Sequence, residues 1–347
     1  MNTYEMRLNK ALVDQHRQLF DYGTRTLKAE FAEHIPCPVC GSTDLSMYME
    51  KDFFRFNRCN SCSMVFLNPR LNVPATYAFY NSEWTSIYNE QKFLGASQSS
   101  ELDNRINKTN IDLISSHLDA RGQPAKLLEI GFGGGYFLRA AQAAGFDVQG
   151  IDVDTSNVAR MKPDFGGRVQ NIDLFDAKFP DGQLDVVYMR DVFEHVPNPA
   201  PMLKEINRIS RDGGLLYIEV PNIEGLIYSA VGERHVVIFG FAHLNYWAPK
   251  SLETIVRNAG YEIVAMHHES LDFTVADVLR YHRSPRSTAV YPGEIGRMRW
   301  LLVSAVYAFF RLPPIAFLDR AIMPRIANWL KRGSVLKLVA RKKTRVV

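Results

Sequence analysis

The 347-residue sequence lacks the features that would place it in a membrane or on nucleic acid. The stretch Met1–Lys28 is polar and has no apolar leader, and the longest apolar run, Trp300–Phe310, is too short to span a bilayer. The net charge is only +4, so the overall electrostatics do not indicate a nucleic-acid partner. With 46% hydrophobic and 22% charged residues, the composition is that of a globular protein, which we expect in the cytoplasm.

Acidic residues are missing from the stretch 320–347, which contains nine Lys and Arg. The overlapping segment 297–332 has seven basic residues against Asp319 alone, together with many aromatic and aliphatic side chains. Basic, aromatic, proline-broken helices can lie in the interface of a bilayer. We therefore expect segment 297–332 to form a helical cap on the core with solvated basic groups or, alternatively, to make a peripheral contact with the inner membrane face.

Cysteine is scarce, and its four occurrences form two C-x-x-C pairs. These residues are Cys37, Cys40, Cys59 and Cys62. In a chain without a leader, this spacing favours a metal site over disulfides. Two such pairs joined by a β-hairpin, here Leu45–Phe56, present four thiolates to one Zn²⁺. A closed shell of four sulfurs leaves no open position, so we expect structural rather than catalytic zinc.

A glycine-rich turn follows the apolar strand Leu127–Ile130. Gly131, Gly133 and Gly135 occupy alternate positions, so the backbone can turn sharply and lie close to a ligand. A helix is predicted to begin after the last glycine, with its unpaired N–H groups facing the turn. A glycine loop alone is a weak signal, because many nucleotide-binding folds have one.

Two acidic residues make the kind of ligand more specific. Glu129 stands two residues before the first glycine, and Asp152 ends the next predicted strand, where a carboxylate can accept hydrogen bonds from a ribose diol. The loop itself contains no Lys or Arg that could meet a phosphate. The pattern therefore favours a nucleoside ligand with a charged amino-acid tail over a diphosphate.

Strand and helix patterns alternate over residues 125–270. The predicted strands are Lys126–Ile130, Val148–Ile151, Val169–Asn171, Leu184–Met189, Leu215–Val220 and Glu262–Met266. We expect helices over 1–35 and 100–122 to precede them. Such alternation predicts a parallel, doubly wound sheet with ligands at the carboxyl ends of its strands.

These motifs resemble those of the class I S-adenosylmethionine (SAM) dependent methyltransferases over roughly residues 36–270 and 334–343. The resemblance implies that the glycine loop passes under the methionine part of SAM and that Asp152 holds the ribose. It also implies that Asp173 meets the adenine amino group, with Leu174 as an apolar wall. The residues that we assign to SAM binding are Glu129, Gly131, Gly133, Gly135, Asp152, Asp173, Leu174, Arg190 and Tyr80.

The cysteine pairs and a tyrosine-rich linker are similar to a zinc-ribbon subgroup of this family, which includes sugar C-methyltransferases and enzymes of surface-polysaccharide clusters. In that subgroup a helical segment covers the SAM pocket, which implies such a place for Tyr80. Aromatic packing between ribbon and core is the alternative. Ser334–Ala340 resembles the seventh, antiparallel strand of the family, which makes 271–332 an insertion.

The predicted fold class is therefore α/β: a Rossmann-like, seven-stranded doubly wound sheet with an N-terminal zinc ribbon and a C-terminal helical insertion. The expected regions are an N-terminal helical segment (1–35), the zinc ribbon (36–70), a helical linker or lid (71–122), the SAM-binding core (123–270), the helical insertion (271–332) and a last strand with a basic tail (333–347).

Three residues are predicted to be catalytic. Glu194-His195 follows the fourth strand and matches the usual pair of the family; a histidine there can act as a general base or can simply orient the loop. His243 and Tyr246 belong to a segment that the resemblance places near the acceptor, where aromatic faces suit sugars or lipids. Packing against the following helix is the alternative for Tyr246.

The resemblance implies a methyltransferase that takes SAM and carries structural zinc. We expect it to O-methylate a sugar of a glycan or lipid-linked glycan. One alternative is C-methylation of a nucleotide-linked keto-sugar, with His195 or Tyr246 assisting enolisation. An alternative of another class is a non-catalytic SAM-binding scaffold, against which the intact glycine loop, Asp152 and Asp173 argue.

Overall fold

The computed structural model describes residues 3–119, 123–270, 274–283 and 297–344. The chain forms two compact units. Unit 1 comprises Met1–Tyr88, Pro221–Ser251 and His267–Leu336, and unit 2 comprises Asn89–Val220, Leu252–Met266 and Lys337–Val347.

The helices and strands of the described residues follow in chain order. They are α1 (Thr3–Leu19), β1 (Phe20–Asp21), β2 (Thr26–Leu27), β3 (Ala32–Glu33), β4 (Leu45–Lys51), β5 (Phe54–Cys59), β6 (Val65–Leu67), β7 (Arg70–Leu71), α2 (Val73–Tyr80), α3 (Glu83–His117), β8 (Lys126–Ile130), α4 (Tyr136–Ala143), β9 (Asp147–Asp152), α5 (Thr155–Phe165), β10 (Val169–Asn171), β11 (Leu184–Arg190), α6 (Pro199–Ile209), β12 (Ser210–Pro221), α7 (Leu226–Val231), β13 (Asn245–Tyr246), α8 (Pro249–Asn258), β14 (Tyr261–Glu269), α9 (Val275–Arg283), α10 (Arg297–Phe310), α11 (Pro313–Trp329) and β15 (Val335–Lys342).

A seven-stranded sheet has the order β10-β9-β8-β11-β12-β15-β14. The strand pairs from β10 to β12 are parallel, so their carboxyl ends meet at one edge. Aliphatic and aromatic side chains such as Leu127, Val148 and Val186 are buried between the sheet and its helices. The doubly wound α/β prediction is confirmed, because continuous apolar strands bury both faces of a parallel sheet.

The predicted last strand is present as β15, over Val335–Lys342 instead of Ser334–Ala340. β15 is inserted between β12 and β14, and helices α9, α10 and α11 stand between β14 and β15 in the chain. None of these helices, nor any other among the described residues, is by itself long and apolar enough to cross a bilayer. Leu301–Phe310 and Pro313–Trp329 reach that length and composition only together, and they are bent by 85° at the break between them.

A four-stranded sheet in unit 1 has the order β13-β6-β5-β4. Its β4–β5 hairpin turns at Asp52 and Phe53, both with positive φ, and the register is fixed by pairs such as Lys51 with Phe54. The sequence does not predict the strand β13, which pairs through Tyr246 with Val65 of β6. Residues distant in sequence thus complete the sheet that contains the cysteine hairpin.

Two predictions of local structure are wrong in part. Helix α1 ends at Leu19 rather than near residue 35, because Asp21 accepts hydrogen bonds from the N–H groups of Gly23 and Thr24 and turns the chain into a small hairpin. Strand β12 begins at Ser210, five residues earlier than expected, since an irregularity in its pairing with β11 accommodates the Gly-Gly pair.

Candidate active site

The glycine loop joins β8 to α4 in the predicted conformation. Gly131, Gly133 and Gly135 have φ values of 70°, 51° and 68°, which L side chains rarely adopt. A Cβ on Gly131 would lie 2.5 Å from Cγ2 of Val192, so this glycine allows close packing. At Gly133 nothing lies within 4 Å of the corresponding position, which leaves open space beside the loop.

The carboxylate of Asp152, at the end of β9, is tied to the glycine loop. Its Oδ2 accepts hydrogen bonds from the N–H of Gly133 (2.9 Å) and from Asn157 (3.2 Å), and its Oδ1 accepts one from Asp154 N (2.8 Å). Burial raises the pKa of this carboxyl group. Because a carboxylate has about four acceptor positions, one remains for a ligand hydroxyl.

Glu129, at the end of β8, is a buried carboxyl group at this edge. The side chain is 5% exposed, and its Oε2 has no hydrogen-bond partner among the described residues. Burial raises its pKa to about 8, and the negative charge of Asp152 adds to this effect. Arg190 and a backbone hydrogen bond with Leu138 oppose the shift without cancelling it. A cationic ligand at the loop would supply the missing partner.

The next strand brings Asp173 and Leu174 to the same edge of the sheet. Asn171, the last residue of β10, pairs with Asp152, and its side-chain amide donates to the Asp152 carbonyl at 2.9 Å. Two residues later, half-buried Asp173 accepts a hydrogen bond from Phe175 N at 2.9 Å, and Leu174 is buried. A polar acceptor beside an apolar wall is the arrangement predicted for an adenine.

A strained turn carries the predicted histidine. Directly after β11, Asp191 has a φ of 54°, which is uncommon for a residue other than glycine and concentrates at functional sites. The turn continues into the short 3₁₀ segment Phe193–His195. Nε2 of His195 lies 3.8 Å from Oε1 of Glu194; the histidine is 27% exposed and the glutamate is buried. Burial raises the pKa of Glu194 well above its usual value.

A buried polar network behind Arg190 was not predicted. Asn107 of α3 accepts a hydrogen bond from Arg190 Nη1 (3.0 Å), and Asn110, three residues later, donates to Glu219 (2.9 Å) and to the Tyr188 hydroxyl (3.0 Å). The only sequence signal is the i, i+3 spacing of two asparagines, which places them on one helix face. The network fixes Arg190 at the end of β11.

The other predicted site residues belong to unit 1. Tyr246 is 4% exposed, its hydroxyl accepts a hydrogen bond from Phe239 N (3.2 Å), and its ring lies edge-on to Phe56. Tyr80 ends α2 and is half-buried beside Phe79, and His243 is also half-buried. Their roles in SAM binding and catalysis stay predictions, because these contacts are equally those of packed side chains.

The four cysteines cluster within unit 1. Their sulfur atoms lie within 4.8 Å of one another, with 3.4 Å between Cys37 and Cys62 and 3.6 Å between Cys40 and Cys59. These separations exceed a disulfide bond of about 2.05 Å. They are close to the roughly 3.8 Å edge of a tetrahedron with zinc–sulfur bonds of about 2.3 Å. The four residues therefore fit a tetrahedral metal.

Within unit 2, the loop fits SAM on three structural grounds. The space at Gly133 admits a ligand against the backbone, Asp152 keeps one acceptor position, and the buried carboxyl of Glu129 lacks a partner that a positively charged ligand would provide. We expect these three residues, with Asp173 and Leu174, to hold the cofactor.

Comparison with known proteins gives the same assignment. A family profile described as "Methyltransferase domain" matches residues 102–266. A "Ubiquinone biosynthesis O-methyltransferase" of Azoarcus sp. (strain BH72) is 27% identical over 173 residues, which are 46% of this chain and 73% of that protein. Proteins of the same description from Xylella fastidiosa (strain M23) and Saccharophagus degradans (strain 2-40) are 26% and 31% identical, covering 59% and 44% of this chain and 83% and 71% of their own lengths.

The matched residues include the glycine loop, both acidic strand ends and the Glu194-His195 turn. The relative that is 31% identical is aligned over more than two thirds of its length, and the site geometry agrees with SAM binding. On this evidence, the chain belongs to the class I SAM-dependent methyltransferases and is an enzyme of that family.

Proposed function

We propose that this methyltransferase transfers the methyl group to a hydroxyl oxygen and that His195 accepts the hydroxyl proton. The observation that carries the proposal is the Glu194-His195 pair: an accessible imidazole backed at 3.8 Å by a buried carboxyl group, after the central strand β11. The relatives are named O-methyltransferases, which supports oxygen as the acceptor atom.

SAM, when bound, supplies an electrophilic methyl group on a sulfonium. A neutral hydroxyl is a weak nucleophile, so removing its proton during the transfer lowers the barrier. His195 has the chemistry for this step because its unperturbed pKa lies near neutrality. The Glu194 carboxyl lies 3.8 Å from the ring, and in its ionised form it would stabilise the imidazolium that forms. Alignment by the loop residues Gly131–Gly135 provides the rest of the catalysis.

For the acceptor, we propose a sugar hydroxyl on a glycan or lipid-linked glycan. The proposal is supported by the likeness to the zinc-ribbon subgroup and by the aromatic segment Phe241–Pro249. The names of the relatives favour a second candidate, a hydroxyl on an intermediate of ubiquinone biosynthesis. The third candidate is C-methylation of a nucleotide-linked keto-sugar. It differs from the other two because the proton must be removed from a carbon atom of the acceptor.

The acceptor is tested by incubating the enzyme with methyl-labelled SAM and an extract of the source cells. Label in the butanol phase that mild acid releases as a water-soluble sugar would support the lipid-linked glycan. Label that stays in the organic phase with a quinone-like absorbance would replace the glycan with the ubiquinone intermediate. Label in small water-soluble material, together with solvent deuterium in the sugar, would overturn O-methylation.

The role of His195 is tested by H195Q. We expect kcat to fall about 10²- to 10⁴-fold while SAM affinity changes less than about twofold. H267Q, which alters an exposed histidine on β14, is the matched control and should leave kcat unchanged. An H195Q enzyme with normal kcat would show that the histidine only shapes the turn.

We also propose that Cys37, Cys40, Cys59 and Cys62 hold one structural zinc ion. The support is the tetrahedral spacing of the four sulfurs and the hydrogen bonds of the two knuckles, such as Gly41 N to Cys37 O at 2.9 Å and Ser63 N to Cys59 O at 2.8 Å. Elemental analysis of protein expressed in zinc-supplemented medium should find one zinc per chain. Retention of full zinc content by the C37S/C62S variant would contradict the assignment.

A further inference from the structure

Helices α10 and α11 expose apolar stripes that a globular protein would normally bury. On α10 the stripe follows i, i+4, i+7 spacing through Leu302, Val306 and Phe309; these side chains are 63%, 46% and 54% exposed. On α11 it consists of Leu318, Ile322, Ile326 and Trp329, and Trp329 is 81% exposed. Scattered apolar residues on a surface are ordinary, but contiguous stripes on neighbouring helices indicate an interaction site.

A different side of α11 is fixed within unit 1. Ala327 is fully buried in the apolar core of that unit, and Met323 packs against the same core. The buried carboxylate of Asp319 accepts hydrogen bonds from the first two N–H groups of α9, those of Val275 (2.9 Å) and Ala276 (3.0 Å). Because this side is already occupied by contacts within unit 1, the exposed stripe of α11 faces outward.

The exposed charges beside the stripes are all basic. Arg311, Arg320, Arg325 and Lys331 are exposed, and none of them forms an ion pair among the described residues. The sole acidic residue of 297–332 is Asp319, whose carboxylate is buried in the contact with α9. This region therefore presents apolar side chains and positive charge together.

An open cavity of about 760 Å³ lies between α9, α10 and α11. Arg280, Arg311 and Arg320 line it, together with the aromatic rings of Phe310 and Phe317. Two carboxyl groups also line it: Asp277 accepts a hydrogen bond from Thr274, and Asp319 accepts those of the α9 N-terminus. Phe317 is 73% exposed at its rim. Three arginines against two carboxyl groups leave the cavity with an excess of positive charge, and its other lining side chains are largely apolar. This combination matches a phosphate ester that is attached to acyl chains.

We propose that α10 and α11 form a membrane-binding surface that rests in the headgroup region of a bilayer containing anionic phospholipids. In this arrangement the stripes enter the interface, and a lipid phosphate occupies the cavity beside Arg311 and Arg320. A second copy of the chain is a poorer occupant, because it would bring an equally basic surface against this one. The 85° bend between the helices and the spaced arginines fit helices that lie on a bilayer rather than cross it.

Vesicle co-sedimentation tests the proposal. The full-length protein should bind vesicles of phosphatidylcholine with phosphatidylglycerol, and high salt should weaken this binding. Vesicles of phosphatidylcholine alone should bind much less protein. Failure to bind the anionic vesicles, or equal binding to both kinds, would overturn the proposal.

Two pairs of variants separate the apolar and basic contributions. F317S/W329S should lose most of the binding to anionic vesicles, whereas M47S, at a site that is 70% exposed on β4, should bind normally. R311Q/R325Q should bind about 25-fold more weakly, since each basic residue near an anionic surface contributes roughly fivefold. R7Q/R17Q removes the same charge from exposed positions on α1 and should have little effect. If each control lost as much vesicle binding as the variant it is paired with, the binding would not depend on the surface of α10 and α11.

The W329F variant gives a direct readout of insertion. Anionic vesicles should shift the tryptophan fluorescence of the native protein to shorter wavelength, and W329F should keep the binding while losing most of that shift. The proposal would be overturned if the native protein failed to bind vesicles but formed a dimer in sedimentation experiments and F317S/W329S abolished that dimer. The stripes would then be the contact surface for a second copy of the chain. Retained binding of labelled SAM shows that each variant is folded. None of these readouts depends on the methyl acceptor.

Discussion

Glu129 and Tyr246 are almost equally buried, and both are predicted to be functional, but their polar atoms have different surroundings. Glu129, at the end of β8, is 5% exposed, and its Oε2 has no hydrogen-bond partner among the described residues. Tyr246, in β13, is 4% exposed, and its hydroxyl accepts a hydrogen bond from Phe239 N. Burial alone therefore does not distinguish a binding residue from a packed one.

The difference lies in what each residue does to the folding free energy. An unsatisfied buried carboxyl costs free energy, so its presence calls for a ligand that compensates it. A tyrosine with a bonded hydroxyl and a packed ring stabilises the fold and needs no ligand to explain it. Among the predicted site residues, we therefore expect substitutions at Glu129 to alter SAM binding and those at Tyr246 to alter stability.

The largest expected effect is on the pH dependence of stability in E129Q. The pKa of Glu129 is about 8 in the folded protein, against an ordinary value of 4.5. The folded state therefore holds a proton that the unfolded state releases, and stability from this source is full below pH 4.5 and lost as the pH rises through 8. Glutamine does not titrate, so the free energy of unfolding of E129Q should exceed that of the native protein by about 4 kcal/mol at pH 8 and by less than about 1 kcal/mol at pH 5.

Chemical denaturation across this pH range measures the difference, and E262Q, at an exposed position on β14, serves as the control. SAM affinity should change in the opposite sense. A cationic sulfonium favours ionised Glu129, so native affinity should rise with pH and the E129Q affinity should not. Parallel curves of unfolding free energy against pH for the native and E129Q proteins would show that Glu129 does not have a raised pKa in the folded protein.

The next largest effect is expected at the glycine loop, where two glycines differ in their surroundings. G131A introduces a Cβ 2.5 Å from Val192 Cγ2 at a φ of 70°, and we expect a loss of about 3 kcal/mol in stability. Adding V192A should recover the steric part. G133A meets no neighbouring atom, so it should cost only about 1 kcal/mol in stability while weakening SAM binding. Equal melting temperatures for both variants would contradict this distinction.

The sequence predicts the parallel sheet and its glycine loop because both depend on short-range patterns. Leu127–Ile130 reads as a strand from its own residues, and the loop conformation requires glycine. Pairings between residues that are distant in the chain produce no such local pattern in the sequence. Asn245–Tyr246 forms a strand only because β6 offers an edge, and Asn107 is a site residue only because Arg190 lies opposite it. The same residues would be ordinary loop and helix positions in another fold.

A smaller effect is expected when the carboxylate of Asp152 becomes an amide. D152N would direct an NH₂ donor at the N–H of Gly133 or Asp154, both of which donate to the native carboxylate. We expect SAM binding to weaken by about 2 kcal/mol, or roughly 30-fold, in calorimetric titration. D147N changes an exposed carboxylate at the other end of the same strand and should bind SAM normally. Equal affinity for both variants would remove Asp152 from the cofactor site.

The smallest expected effect belongs to Y246F. Removing the hydroxyl leaves the Phe239 N–H without that acceptor, while the ring keeps its contact with Phe56, so the free energy of unfolding should fall by about 1 kcal/mol. If Tyr246 only packs β13 against β6, kcat for methyl transfer should stay within about twofold of the native value. A loss of kcat of about a hundredfold or more, with stability nearly unchanged, would instead establish Tyr246 as a proton-transfer residue. Such a result would also show that a satisfied, buried hydroxyl can be catalytic here, and the contrast with Glu129 would then lose its diagnostic value.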